Sequence, residues 1–136
     1  MENKSSIPAE SQIASGLQSL PDVTALSMTR GQVLVYEGHY PQGLWVVLGG
    51  CVSLHGTGLA TAEHRDAAAS PFVLPPPSEI DTPSALTVTV TDDARLLFVP
   101  RSVALASPAV IRLIERGLLT DCSLQHPSPK DRRGPA

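Results

Sequence analysis

The sequence predicts an all-β core flanked by short α-helices, and three observations support this fold class. Between Gly31 and Leu54, hydrophobic runs rich in Val and Leu are separated by glycines at turn positions. Between Leu86 and Thr91, apolar residues alternate with threonines, which is the period-two pattern of a strand with one buried face. The 136 residues also include 13 prolines and 10 glycines, which favours short strands and turns over a helix bundle.

The N-terminal half of the chain reads as a disordered start, a short helix and a series of strands. We expect residues 1–8 to be disordered, and apolar residues at helical spacing predict a helix that ends before Pro21. Gly49 and Gly50 allow a tight bend or bulge within the β-rich part. The predicted elements, in order, are a helix over 9–20 and strands over 23–28, 33–36, 44–48 and 51–55.

The C-terminal half begins with the least regular part of the sequence, residues 59–82, and then becomes regular again. Strands are predicted over 86–91 and 95–99, joined by a turn at Asp92 and Asp93. A helix is predicted over 107–120, with Ser107 as its N-cap and Pro108 in its first turn. We assign 9–121 to one folded domain and expect residues 122–136 to form a disordered tail.

Composition and charge exclude several classes of function. A formal net charge of −3 and a pI near 5.7 provide no basic surface for nucleic acid. No stretch approaches the ~18 consecutive apolar residues of a membrane span, and the N-terminus lacks the apolar core of a signal peptide. Cys51 and Cys122 do not make a disulfide framework, so we expect a reduced, cytoplasmic protein.

The spacing of glycines and hydrophobic pairs resembles a known family. Gly31 and Gly38 stand seven residues apart, and they are followed by Leu44-Trp45, Val47-Leu48 and Gly50-x-Val52, and later by a strand that ends in Pro100-Arg101. This order resembles cyclic nucleotide-binding domains, the effector domains of catabolite-activator-type regulators. The resemblance implies a jelly-roll β-roll, a cupin-like double-stranded β-helix with short flanking helices. Trp45 lies in a continuous apolar run, so we expect it in the core or in a dimer interface.

The family resemblance also implies a phosphate-binding cassette over residues 72–85, and this segment departs from the family pattern. In the family, a Gly-Glu pair, a short helix and an Arg hold the cyclic phosphate and the ribose. Here Ser84 stands at the position of the Arg, and the prolines at 75–77 have no N–H groups to donate. Glu79 and Asp81 would repel a phosphate. We therefore expect no useful affinity for cyclic AMP or cyclic GMP.

Five residues form the candidate ligand site that remains: Ser78, Glu79, Ser84, Leu86 and Val88. Ser78-Glu79 is interpreted as a displaced remnant of the Gly-Glu pair. Leu86 and Val88 lie on the same strand face as Ser84, so any cavity there is expected to be mostly apolar. The interior is either packed with the protein's own side chains or holds a small apolar or different polar ligand.

Residue patterns for catalysis and metal binding are missing from the sequence. It has no His-x-His pair of the kind that metal-binding cupins use and no Gly-x-Ser-x-Gly, so no catalytic residue, metal ligand or cofactor is assigned. The sequence predicts a stand-alone, non-catalytic domain with a regulatory or protein-interaction role. The alternatives are a cupin-type small-molecule binder or metal-dependent enzyme, and an atypical nucleotide sensor.

The predicted 107–120 helix is the candidate interface. Its apolar residues spread around more than one face, so part of it is expected to stay exposed in a monomer and to be buried in a homodimer. We expect Ile114→Glu to shift that dimer toward monomer. A further, unidentified protein partner is possible, and no helix-turn-helix follows the barrel, so DNA binding in the activator manner is not expected.

Overall fold

The computed structural model describes residues 16–17, 19–68, 70–118 and 122–125. Its main element is one sheet of six antiparallel strands. The strands are β1 (Thr24–Met28), β2 (Val33–Val35), β3 (Gly43–His55), β4 (Glu63–Asp66), β5 (Phe72–Leu74) and β6 (Thr87–Pro100). A short 3-10 helix (Pro77–Glu79) precedes β6, and two helices follow it, α1 (Arg101–Ala106) and α2 (Pro108–Gly117). The predicted β-core with short helices is confirmed; the cupin-like arrangement stays a prediction.

The two long strands, β3 and β6, form the centre of the sheet. They pair along their whole length, from Gly43 opposite Pro100 to His55 opposite Thr87. The outer edge of β6 pairs with β1 and β2, and the outer edge of β3 pairs with β4 and β5. The outer edge of each long strand thus pairs with two different short strands. All four short strands therefore join the sheet through β3 or β6.

The pairing between β3 and β6 is irregular where the sequence predicts a bend or bulge. Register shifts occur between Val47 and Val52, which confirms that prediction. Gly50 has a φ of +92°, and a Cβ at this position would lie 2.4 Å from the carbonyl oxygen of Asp93. Only glycine therefore fits here, because a side chain would meet both backbone strain and a backbone atom of β6.

The turn predicted at Asp92 and Asp93 is wrong, since β6 continues through both residues. The bulge opposite Gly50 takes up the irregularity, and Asp92 pairs with Cys51 across the ladder. Asp93 is exposed, and its carboxylate accepts a hydrogen bond from the backbone N–H of Arg30 at 3.1 Å. Pairing of β6 with β3 thus outweighs the local turn preference of two aspartates.

The side chains of β3 and β6 alternate between two cores on opposite faces of the sheet. We call one the interior cluster and the other, which packs against the helices, the helix-side cluster. The interior cluster contains Leu34, Val35, Trp45, Val47, Val52, Leu54, Ala67, Phe72, Leu74, Leu86, Val88, Val90, Ala94, Leu96, Cys122 and Leu124. The helix-side cluster contains Leu17, Val23, Leu44, Val46, Val73, Ile80, Leu97, Val99, Ala104, Val110, Ile114 and Leu118.

The C-terminal helices differ from the sequence prediction in two respects. Helix α1 was not predicted, and Ser107 makes no side-chain capping bond to α2 although it directly precedes it. The expectation that Ile114 lies on an exposed dimer face is also wrong, because this residue is fully buried in the helix-side cluster of its own chain. Ile111 and Leu113, by contrast, stay half-buried.

The structure describes only part of each end of the chain. Residues 1–8 lie outside the described residues; within the predicted helix over 9–20, Gly16 and Leu17 are helical, and Leu17 is fully buried. The tail was predicted to begin at 122, but residues 122–125 are described and packed, so this boundary is too early. Residues 126–136 lie outside the described part. No helix among the described residues is long and apolar enough to cross a membrane.

Candidate functional site

The structure brings four of the five predicted site residues into one region beside the start of β6. Ser84, Leu86 and Val88 are all buried, and the two apolar side chains belong to the interior cluster. Glu79 is half-buried at the end of the 3-10 helix, whereas Ser78 is exposed. Leu86 and Val88 thus pack in the interior, and Ser78 does not.

Ser84, at the position of the family's Arg, is fully engaged within the protein. Its hydroxyl donates to the carbonyl of Leu86 at 2.6 Å and accepts from the N–H of Leu86 at 3.1 Å. Its backbone N–H donates to the carbonyl of His39 at 2.9 Å, and its carbonyl accepts from Gly38 at 2.6 Å. Ser84 therefore fastens the loop between β2 and β3 to the start of β6 and presents no polar group to a ligand.

The segment before Ser84 contains three consecutive prolines, at positions 75–77. Pro75 and Pro76 are buried and have no N–H, and the backbone N–H of Glu79 donates to the carbonyl of Pro76 at 2.8 Å. The guanidinium of Arg101 pairs with the carboxylate of Asp81. It also lies 5.5 Å from the centre of the Tyr40 ring. The positive charge of Arg101 is thus already committed to a carboxylate.

A C-terminal segment that the sequence analysis assigned to the tail occupies this region. We call residues 122–125 the strap. Leu124 is fully buried and Cys122 is 4% exposed, both within the interior cluster. The carbonyl of Leu124 accepts from the N–H of Ala85 at 2.7 Å, and Gln125 donates its side-chain amide to the carbonyl of Pro83 at 2.8 Å. The strap is therefore packed against the segment that stands where the cassette would be.

Glu79 holds the strap with both of its carboxylate oxygens. Oε1 accepts from the N–H of Leu124 at 2.8 Å, and Oε2 accepts from the hydroxyl of Ser123 at 2.5 Å. The sequence suggests that Glu79 is a remnant of the glutamate that binds the ribose in the family. In the structure, Glu79 instead accepts hydrogen bonds from this chain's own strap. A charge-assisted bond of this kind is stronger than a neutral one.

One signal in the sequence pointed to the strap. Cys122 and Leu124 alternate with the polar Ser123 and Gln125, which is the period-two pattern of an extended segment with one buried side. The run is short, and the prolines and charged residues around it favour the prediction of a disordered tail. Docking of the strap depends on Glu79 and Ala85, which are distant in sequence.

Cys51, in the bulged part of β3, has an unreactive environment. Partial burial raises the pKa of its thiol, and the charge of Asp66, a hydrogen bond to Asp66 and the charge of Asp92 raise this pKa further. A thiol with a raised pKa forms less of the nucleophilic thiolate at neutral pH.

We predict that Cys51 reacts with iodoacetamide more slowly than free cysteine does, at a pH near the ordinary thiol pKa of about 8.5. Because its pKa is raised, the rate should keep increasing at pH values where the rate of free cysteine has levelled off. Asp66→Asn should speed the reaction by removing a charge that opposes the thiolate, and Asp22→Asn should leave it unchanged. Mass spectrometry of the Cys51 peptide measures the rate; equal rates for free cysteine and Cys51 would contradict the prediction.

Among the described residues, no three His, Cys, Asp or Glu side chains are grouped to hold a metal ion. The Nε2 of His55 lies 3.2 Å from the hydroxyl of Thr89. His39 lies beside the ring of Tyr36, with 5.7 Å between ring centres. These imidazoles are dispersed over different elements and provide no common site.

Comparison with solved structures shows the fold. No family model matches the chain, and no curated protein is significantly similar to it in sequence. The structure is similar to a cAMP-binding acyltransferase from Mycobacterium smegmatis (TM-score 0.53, 16% identity, 77% of this chain and 34% of that one). It is also similar to the C-linker/CNBHD of zELK channels crystallized in the presence of cAMP (TM-score 0.55, 13% identity, 84% and 60%). A third is a cyclic nucleotide-binding domain containing protein from Listeria monocytogenes (TM-score 0.51, 15% identity, 80% and 56%).

These similarities confirm the resemblance on which the sequence analysis relied. The chain has the fold of cyclic nucleotide-binding domains. It spans between about a third and three-fifths of the length of these three proteins. At such low identity the similarity concerns the fold, so the function must be argued from the site.

Proposed function

We propose that this chain is a non-catalytic domain of the cyclic nucleotide-binding fold that works without cyclic AMP or cyclic GMP and serves a regulatory or protein-interaction role. The observation that carries the proposal is the strap. Leu124 is fully buried in the interior cluster, and the carboxylate of Glu79 holds its backbone. A nucleotide entering beside Ser84 would have to displace this segment, and it would meet a serine in place of the Arg and three prolines without N–H groups.

The electrostatics of the region support the same proposal. The carboxylates of Glu79 and Asp81 lie on the segment that would face a phosphate, and the guanidinium of Arg101 is paired with one of them. A phosphate placed here would gain no unpaired cation and would be repelled by Glu79. Family-type binding relies on the opposite arrangement, an Arg and helix-start amides around the anion.

We predict that calorimetric titration with cyclic AMP and cyclic GMP gives no saturable heat up to millimolar nucleotide. The Leu124→Ser variant, which weakens the strap, should also fail to bind, because Ser84 and the prolines at 75–77 remain. Leu105→Ser, at an exposed position, serves as the matched control for the substitution itself.

Two results would overturn parts of this proposal in different ways. A micromolar site in the unmodified chain would refute the proposed loss of nucleotide binding as a whole. Binding that appears only in Leu124→Ser would show that the strap alone blocks a competent site, which contradicts the role given to Ser84.

Elemental analysis of the purified protein should find no stoichiometric transition metal. A stoichiometric metal would favour a metal-dependent cupin over this proposal.

Homodimerisation through the 107–120 helix and a cytoplasmic setting belong to the same proposal. Two free cysteines, one of them buried, support a reducing compartment. The half-buried Ile111 and Leu113 remain available for a helix interface, whereas Ile114 is not.

We therefore predict a dimer in sedimentation at tens of micromolar and expect Ile111→Glu to shift it toward monomer. Arg112→Glu, at an exposed position on the same helix, should leave the dimer intact. Ile114→Glu is expected to destabilise the fold instead, because it places a charge in the helix-side cluster. Sedimentation of the unmodified chain as monomer alone would refute this part of the proposal.

A further inference from the structure

A pocket of about 210 Å³ lies at the loop between β2 and β3. Its walls come from β2, from the loop and from the start of β3. Tyr36, His39, Tyr40 and Trp45 are among the residues that line it. The pocket is therefore built from one continuous stretch of chain, which the sheet holds in place at both ends.

The rim of this pocket is aromatic and exposed. Tyr36 is 56% exposed and Tyr40 is 53% exposed, and in the described part of the chain only Leu105 joins them as an exposed large hydrophobic residue. The ring of His39 lies beside that of Tyr36. Exposed aromatic rings grouped at one pocket are typical of surfaces that bind other molecules.

Trp45, which lines the pocket, carries a polar group without a partner. Its side chain is 8% exposed and packs against Phe98, with 4.6 Å between ring centres. Within the described residues, its indole Nε1 is the one buried side-chain nitrogen or oxygen without a hydrogen-bond partner. A buried donor left unpaired is costly, so such a group is a natural partner for an incoming acceptor.

The chemistry of the lining restricts the class of ligand. None of the described residues that line the pocket is Lys, Arg, Asp or Glu. The guanidinium of Arg101, which lies over the Tyr40 ring, is paired with Asp81, so a charged ligand would find no unpaired counter-charge there. The lining instead suits a neutral carbonyl oxygen carried next to a flat apolar group. A prolyl residue combines these two features, and a proline-rich segment is already extended before it binds.

We propose that this pocket binds a proline-rich peptide in the polyproline II conformation. Prolyl rings pack against Tyr36 and Tyr40, and a peptide carbonyl accepts a hydrogen bond from Nε1 of Trp45. Because Nε1 is covered in the free protein, binding includes a rotation of side chains at the pocket, a change that is common at interfaces. The inference rests on the proposed interaction role and gives that role a partner class.

The single tryptophan of the chain makes a direct test possible. In a ¹H–¹⁵N spectrum of the full chain, Trp45 gives the one indole N–H signal, which reports on the proposed bond itself. Titration with capped decaproline should move this signal downfield in a saturable manner at sub-millimolar peptide. A glycine–serine decapeptide should leave it in place.

Variants locate the binding surface. Tyr36→Ala and Tyr40→Ala should each weaken decaproline binding about tenfold, as expected for aromatic residues at the centre of an interface. Both residues are exposed, so these variants should fold normally. Leu105→Ala removes an exposed hydrophobic residue elsewhere and should bind as the unmodified chain does.

Three outcomes would overturn the inference: an indole signal that does not move at millimolar decaproline, an equal response to the glycine–serine peptide, or tyrosine variants that bind undiminished. The nucleotide titrations are independent of this pocket. Failure of the peptide test with silent nucleotide titrations would remove the inference alone, whereas nucleotide binding would refute the proposed function.

Discussion

Replacement of Gly50 by alanine is expected to lower the free energy of unfolding by about 3 kcal/mol. Two costs add at this position: a left-handed backbone costs an L-residue roughly 1–2 kcal/mol, and forcing an extra methyl group into a packed site costs about as much again. The added Cβ would lie 2.4 Å from the carbonyl oxygen of Asp93 and 2.6 Å from the Cα of Ala94. These are backbone atoms of β6, so no side-chain rotation relieves the contact. Thermal unfolding should shift down by roughly 10 °C.

Gly31 offers a matched control because it has the same backbone conformation without the crowding. Its φ is +98°, and a Cβ there would meet no atom within 4 Å. Gly31→Ala should therefore cost only the conformational part, about 1 kcal/mol. If the two variants melt at the same temperature, the close approach of β3 and β6 at the bulge does not contribute.

Replacement of Leu124 by alanine is expected to cost about 2–4 kcal/mol, the range for a buried leucine. Leu124 is fully buried, although only the short strap carries it. Since the strap can detach as a unit, its docking free energy sets the upper limit of the loss. Chemical denaturation of the variant and of the unmodified chain measures the difference.

A local readout distinguishes release of the strap from general loosening. The N–H of Ala85 donates to the carbonyl of Leu124, so its hydrogen exchange should accelerate in Leu124→Ala. Exchange in the centre of the sheet, for example at Val46, should change far less. Leu105→Ala, at an exposed position, should change stability by less than about 0.5 kcal/mol. Unaltered exchange at Ala85 would count against the strap as a separate docking unit.

Much of the fold was predictable from residues whose local preference agrees with their tertiary role. Gly31 and Gly50 do adopt positive φ, and the alternation from Leu86 to Val90 does place one face in the interior. The failed prediction at Asp92 and Asp93 has a physical origin. Turn preference depends on neighbouring residues, whereas this part of the strand is stabilised by pairing with β3. The residues of β3 lie about 40 positions earlier, so the sequence around the two aspartates does not show this pairing.

For the candidate site, the sequence predicts only which phosphate-binding groups are missing. The absent Arg at Ser84 and the missing N–H groups at 75–77 follow from residue identity alone. The role of Glu79 does not, because it depends on Ser123 and Leu124, more than 40 positions away along the chain. The pocket beside Trp45 also escaped prediction, since an unpaired indole N–H is a property of packing.

The strap has a consequence for any molecule that competes with it. Only residues 119–121 separate Leu118, at the end of α2, from Cys122, so the strap is an occupant tethered to its own site. A short tether gives an effective concentration on the order of millimolar. Dilution of the protein does not remove the strap. A free ligand of micromolar intrinsic affinity would therefore have to compete with the strap in every molecule. Release of the strap therefore depends on its own docking free energy and not on the concentration of the protein.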